Sequence, residues 1–237
     1  RAGGAGGIGG IWAGGGGLGK PVQLVWAGAA LGAHAPAGDP SPVLVVAPTS
    51  VVGVWIDQAR TFTPHLRVRA VTETATRRGT TIQEEVADMD IVVTSYTLAR
   101  LEAEQWNQVR LGGVVIDEAQ AVKNPRTATY RALRDLESPW KLAVSGTPIE
   151  TSLGDLWALL SLPCPGLLPP WETFQQQVRR PIENGADPAM LGRLTAYVAP
   201  FVLRRTKEEV APDLPDKIVD IVRVDWGKEH RRIYDQY

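Results

Sequence analysis

Two hydrophobic rhythms alternate along this chain. Val43-Leu44-Val45-Val46-Ala47, Ile91-Val92-Val93, Gly113-Val114-Val115-Ile116 and Lys141-Leu142-Ala143-Val144 are short, nearly continuous apolar runs, the pattern of strands buried on both faces of a parallel sheet. Leu66 to Val71 alternates and reads as a further strand. Between these runs the apolar positions recur at helical spacing. Val51, Trp55, Ala59 and Phe62 form the expected inner face of a helix capped by Thr49 or Ser50. Thr81 with Glu84 makes a capping box for a short helix through Met89. A helix is expected from about Leu98 to Gln105, and Thr127 opens another with Tyr130, Leu133 and Leu136 on one face. Strands alternating with helices at this pitch predict an α/β fold, a doubly wound parallel sheet with helices on both faces.

The rhythm changes at both ends. Beyond Leu162, Pro163, Pro165, Pro169 and Pro170 mark a boundary, and Trp171, Phe174 and Val178, then Leu191, Leu194 and Val198, carry two helical patterns. The expected organisation is an α/β domain over 1–162, a helical extension over 163–215, and a linker or the start of a further lobe over 216–237. In that last piece Val222, Val224 and Trp226 alternate as a strand and Ile233 and Tyr234 enter a new helix. Residues 1–20 are dominated by Gly and, taken alone, read as a flexible linker, because Gly costs most backbone entropy to order. Val22, Val25, Trp26 and Ala29 then recur at helical spacing.

Composition narrows the function classes only modestly. Apolar residues make up 44% of the 237 and charged residues 22%, ordinary values for a globular protein, and the net charge of −1 leaves no basic field over the whole molecule. Any nucleic-acid contact must therefore come from a local patch such as Arg179, Arg180, Arg193, Arg204, Arg205 and Lys207, although a charge run of this kind is more often a solvated helix face. The single cysteine, Cys164, excludes an internal disulfide and a cysteine-rich zinc site, and no run reaches the roughly 18 apolar residues of a membrane span. A cytoplasmic protein is expected.

The chemistry gathers at strand ends. The run Gly113 to Ile116 delivers Asp117 and Glu118 side by side, and ligands of open α/β sheets bind beyond the carboxyl ends of the strands. One carboxylate can hold Mg²⁺, often through water, while the second orients or deprotonates an attacking water. Taken alone, the pair is equally consistent with acids that cap the following helix. Gly14-Gly15-Gly16-Gly17-Leu18-Gly19-Lys20 fits the phosphate-binding pattern G-x-x-x-x-G-K, with Gly17, Gly19 and Lys20 as nucleotide-binding candidates. Pro21 occupies the place of the usual Ser or Thr. It removes both the hydroxyl that ligates Mg²⁺ and an N–H that would face phosphate. The polar clusters Pro48-Thr49-Ser50, Thr94-Ser95-Tyr96 and Ser145-Gly146-Thr147 close successive strands. Each alone is a plain N-cap; together they suit a surface that follows a nucleic-acid backbone.

In order, these segments resemble the first motor lobe of SWI/SNF-type ATPases, members of the helicase-like superfamily two. The likeness is carried by Gly17-Leu18-Gly19-Lys20, by Val46-Ala47-Pro48-Thr49-Ser50 with Trp55, and by Val93-Thr94-Ser95-Tyr96. It continues through Asp117-Glu118-Ala119-Gln120 with Lys123-Asn124-Pro125, and through Ser145-Gly146-Thr147-Pro148. Weaker matches follow at Leu156-Trp157, Phe201 to Arg205 and Leu214 to Lys217, so nearly the whole chain is covered, and the DEAQ form resembles bacterial members.

The resemblance implies a RecA-like ATP-binding lobe over 1–162. It makes Lys20 the phosphate-loop lysine, Asp117 the Mg²⁺-associated acid and Glu118 the catalytic base. Gln120, Ser145 and Thr147 couple nucleotide to DNA, and Thr49, Ser50, Thr94 and Ser95 lie near the DNA backbone. The implied cofactors are ATP and Mg²⁺. The implied partners are double-stranded DNA, a DNA-bound protein complex and a second RecA-like lobe, which would begin where this sequence stops. Without that lobe's arginines, weak or absent motor activity is expected. The alternative is a degenerate, non-hydrolysing module that keeps the scaffold and binds DNA or a protein; Pro21 and Gly14-Gly15-Gly16, which stand where the family has Thr and two acids with a bulky residue, support it.

Overall fold

The structure, a computed structural model, describes residues 8–14, 41–146 and 152–205, with 227, 231, 232 and 234. Seven parallel strands form one sheet: β1 Ile8–Gly14, β2 Val43–Ala47, β3 Val68–Val71, β4 Ile91–Ser95, β5 Gly113–Ile116, β6 Trp140–Ser145 and β7 Val202–Arg205. Their order across the sheet is β3-β4-β2-β5-β6-β1-β7, and all pairings are parallel. Parallel neighbours need crossovers. Helices α1 Thr49–Phe62, α2 Ala75–Arg78, α3 Ile82–Val86, α4 Tyr96–Leu101, α5 Ala103–Trp106 and α6 Ala128–Asp135 lie on the crossovers from β2 to β6. Among the described residues no helix is long and apolar enough to cross a membrane.

Successive strand side chains point to opposite faces, and both faces of β2 are covered. Val43, Val45 and Ala47 pack with Val93, Val115 and Val144 under Val52, Trp55, Ile56 and Ala59 of α1. Leu44 and Val46 pack with Val92, Val114 and Ile116 against the other core, which includes Tyr130 and Leu133 of α6. Burial on both sides explains why these strands read as continuous apolar runs rather than alternating ones.

Several expectations need correction. The cap of α1 is Pro48, and Thr49 is already helical. Its buried stripe is Val52, Trp55, Ile56 and Ala59, a regular i, i+3, i+4, i+7 set, whereas Phe62, in the last turn, is 51% exposed. The capping box of Thr81 and Glu84 is present, but its helix ends at Val86. The single helix expected from Leu98 to Gln105 is two short ones, α4 and α5, broken at Glu102, whose φ of −111° and ψ of 24° leave helical geometry. The break has a purpose: the Glu102 carboxylate is buried and accepts hydrogen bonds from the Ala75 N–H and from Arg78.

The Gly-rich start is not a linker throughout, because Ile8 to Gly14 form β1 between β6 and β7. A Cβ on Gly9 would lie 1.7 Å from the Pro163 carbonyl oxygen, so the glycine is required by the loop that crosses this strand. The segment after Leu162 also returns to the sheet. Following α7 Leu153–Ser161, it contains α8 Trp171–Phe174, a π turn Gln175–Arg179, α9 Arg180–Glu183 and α10 Pro188–Val198, and it ends in β7 beside β1. Phe174, Leu194 and Val198 join the same core as Leu159 and Leu160 of α7, while Leu191 of the expected helical stripe is 49% exposed. The helix expected after Pro21 and the strand expected at Val222 to Trp226 lie outside the described residues.

Candidate active site

Asp117 stands just beyond the carboxyl end of β5, in the middle of the sheet, with 4% of its surface exposed. It is held from four directions. Its N–H donates to the Val46 carbonyl of β2 at 2.8 Å, and its Oδ1 accepts the Glu118 N–H at 2.9 Å. The indole Nε1–H of Trp55, reaching up from α1, donates to Oδ2 at 2.8 Å. The Tyr96 hydroxyl, at the start of α4, donates to the Asp117 carbonyl at 2.5 Å. Burial raises the Tyr96 phenol well above its ordinary range, and the charges of Asp117 and Glu118 raise it further. The phenol therefore remains a donor at any working pH.

Glu118 has φ 51° and ψ 49°, left-handed geometry that is uncommon for a residue with a Cβ. Such a conformation costs on the order of 1–3 kcal/mol and persists where the surroundings impose it, often at functional sites. Here it turns the chain off the sheet edge into the 3₁₀ turn Ala119–Val122. Although Glu118 occupies the cap position, its side chain makes no capping bond. The carboxylate is used otherwise: its Oε2 accepts from Gln120 Nε2 at 2.5 Å, and Gln120 Oε1 accepts from Ser145 Oγ at 2.8 Å. Ser145, at the end of β6, is fully buried. The candidate residues Asp117, Glu118, Gln120 and Ser145 are thus brought together in one hydrogen-bonded line.

Register places β1, which precedes the glycine-rich loop of the sequence, beside this line, since Ala13 of β1 pairs with Ser145 of β6. Gly17, Gly19 and Lys20 of the loop, and Thr147, lie outside the described residues. Lys123 is paired with Asp155 of α7 at 3.3 Å, and Asn124 Oδ1 accepts the Arg126 N–H at 3.0 Å, which closes the turn at Pro125.

The four hydroxyls expected near a nucleic-acid backbone divide into two pairs. Thr49 and Ser50 are exposed at the first turn of α1. Thr94 is buried and donates to the Val71 carbonyl at 2.9 Å, and Ser95, also buried, caps α4 by accepting the Leu98 N–H at 3.3 Å. Two residues bond to Asp117 in ways the sequence reading did not anticipate: Trp55, read as a core side chain, and Tyr96, read only as part of a strand-end polar cluster. The available signal was chemical, because a buried indole or phenol usually finds a hydrogen-bond partner.

Among the described residues no three His, Cys, Asp or Glu side chains gather to hold a metal. Mg²⁺ suits such a site, since it keeps most of its waters and typically takes one or two carboxylates plus substrate phosphates. Asp117, whose Oδ2 accepts the Trp55 indole N–H, is the carboxylate at this strand end that could hold such an ion.

The sequence profile of the SNF2-related domain matches residues 5–237. The chain belongs to this family. It is 34% identical over 222 residues to YwqA of Bacillus subtilis (strain 168), whose given name is that of an ATP-dependent helicase/translocase; the match covers 93% of this chain and 24% of that protein. It is 31% identical over 207 residues to the TATA-binding protein-associated factor mot1 of Schizosaccharomyces pombe, covering 83% of this chain and 10% of mot1. The SWI2/SNF2 ATPase core of Sulfolobus solfataricus, solved in complex with double-stranded DNA, superposes with a TM-score of 0.76 at 34% identity, over 90% of this chain and 43% of that one. A second structure, the Sulfolobus solfataricus SWI2/SNF2 ATPase core domain, gives a TM-score of 0.75 at 33% identity. The parallel sheet of this SNF2-family chain is therefore the RecA-like fold of SWI2/SNF2 ATPase cores, and the chain spans less than half the length of these relatives.

Proposed function

We propose that this SNF2-related chain is the ATP-binding lobe of a DNA-dependent ATPase that couples hydrolysis to movement on double-stranded DNA, working against a second RecA-like lobe. The observation that carries the reading is the line Ser145–Gln120–Glu118, which ties the acid next to Asp117 to the end of the neighbouring strand. Mg²⁺, when bound with ATP, would offset phosphate charge and polarise the phosphoryl group. Asp117 would hold that ion through its carboxylate, whose orientation the Trp55 N–H and the Glu118 N–H fix. Glu118 accepts a proton from an attacking water, and Gln120 steers that carboxylate. Lys20 contributes positive charge to the phosphates. Thr49 and Ser50, exposed where α1 begins, suit contacts to a DNA backbone. A DNA-bound protein complex is the expected object of the motor.

Phosphate release by the full-length protein, measured with and without double-stranded DNA, tests this reading. DNA-stimulated turnover abolished by Glu118→Gln is expected; turnover indifferent to both DNA and Glu118→Gln would sink it.

Pro21 favours a second reading, a module that binds nucleotide, DNA or protein without hydrolysis. Under it the parent is silent and Pro21→Thr restores DNA-stimulated turnover. A parent already active, with no gain from Pro21→Thr, excludes it.

A further inference from the structure

The four buried residues of α1, Val52, Trp55, Ile56 and Ala59, carry a single polar side-chain atom between them, the indole Nε1 of Trp55. Val52, Ile56 and Ala59 fill the space over β2, β4 and β5, and Trp55 lies among them with 1% of its surface exposed. Packing alone asks only for a large apolar side chain at this position. The indole adds an N–H, and that N–H ends on Asp117 Oδ2 at 2.8 Å. Asp117 is itself 4% exposed, so a carboxylate rotamer that lost the indole would be turning within packed side chains rather than in water. The other oxygen is tied to the backbone N–H of Glu118 at 2.9 Å. The carboxylate plane is consequently defined by two donors from different elements, one from helix α1 and one from the turn after β5.

We propose that Trp55 is a positioning residue for the Mg²⁺-associated acid: its indole N–H fixes the Asp117 carboxylate so that the charge is aimed at the nucleotide's metal before either arrives. The proposal rests on the reading of Asp117 given above. Outer partners of a metal-directed carboxylate typically change metal affinity about 10- to 100-fold when removed, and Trp55, itself buried within the core, stands in that relation to Asp117. Tyr96 completes the grip by holding the main chain of the same residue, which fixes where Asp117 begins; Trp55 fixes where its carboxylate ends.

The test separates the hydrogen bond from the packing. In the 237-residue chain, Trp55 is replaced by Phe and, by site-directed incorporation, by benzothienylalanine, which keeps the bicyclic shape and exchanges N–H for sulfur. A fluorescent ATP analogue is titrated at graded Mg²⁺, and unfolding is followed in parallel. Both replacements are expected to raise the Mg²⁺ concentration for half-maximal binding by about tenfold or more and to leave binding of the metal-free nucleotide unchanged. Ile56→Val, which loosens the same helix without touching Asp117, is expected to lower stability and leave the Mg²⁺ midpoint in place. An unshifted midpoint in the sulfur isostere, or an equal shift in Ile56→Val, overturns the positioning role alone. A parent that binds no nucleotide at any Mg²⁺ concentration overturns the ATP-binding reading and the proposal with it.

Discussion

Gln120 lies between two partners, donating to Glu118 Oε2 at 2.5 Å and accepting from Ser145 Oγ at 2.8 Å. The two bonds use opposite ends of one amide, so the Ser145 hydroxyl sets which way the amide faces and hence whether it can donate to Glu118. If Glu118 is the general base, Glu118→Gln lowers kcat by about 10²–10⁴-fold, with KM for ATP little changed. Gln120→Ala and Ser145→Ala lower kcat less. Because they act in series, the double variant should be no worse than Gln120→Ala alone. Losses that multiply would show that the two residues act separately. Steady-state kinetics of the full-length protein with DNA present decides between these outcomes.

Arg78 and Glu102 form a buried ion pair at 3.0 Å, with side-chain exposures of 8% and 5%. Glu102 also accepts the Ala75 N–H, and Arg78 donates to the Glu73 carbonyl. Truncating one member leaves the other charge buried and uncompensated, a loss of about 3–5 kcal/mol. Glu102→Ala should cost that much in urea denaturation. Replacing both by apolar residues, Arg78→Met with Glu102→Leu, should recover most of it; an equal loss in the double variant would contradict the ion-pair account.

Lys141 is buried in β6, with Nζ donating to the Leu133 and Arg134 carbonyls at 3.1 and 2.8 Å in the last turn of α6. Those carbonyls have no partner within the helix, yet burial dominates and lowers the ammonium from 10.5 to about 8. The folded value lies below the unfolded one. Between pH 8 and 10.5 the unfolded chain therefore keeps a proton that the folded chain has released, and stability attributable to this group rises with pH. Below that window both states are charged and the burial penalty is constant. The stability of the parent minus that of Lys141→Met, from denaturation at a series of pH values, should climb across the window. A flat difference would refute the shift.

Gly113 opens β5 because Trp140 of β6 lies over it: an added Cβ would sit 2.1 Å from the indole carbons Cε2 and Cζ2. Gly113→Ala forces the indole or the strand to move, an overpacking cost of about 1–3 kcal/mol or more. Trp140→Leu should relieve most of the added loss when combined with it. Thermal unfolding of the two single variants and the double variant measures this directly, and additive losses would rule out the contact as the cause.

The amino-acid sequence determined the strands β2, β4, β5 and β6, because burial on both faces leaves a local mark, an unbroken apolar run bounded by turn residues. It determined the capping box at Thr81 and Glu84, the Thr127 cap of α6 and the placing of Asp117 and Glu118 at a strand end, all features written within a few residues. Strand β1 was hidden, because its glycines answer to Pro163 and Phe201, which approach from more than a hundred residues away in sequence. Strand β7 was hidden for the same reason, since its partner β1 lies at the other end of the chain. The break between α4 and α5 depended on Arg78, and no local propensity recorded it. At the site, the sequence named the acids, Gln120 and Ser145, but only tertiary structure decided that they share one line of hydrogen bonds, that Thr94 and Ser95 turn inward, and that Trp55 addresses Asp117. Side-chain direction and the partner of a buried N–H are set by packing between distant segments, and that information exists only once the sheet has assembled.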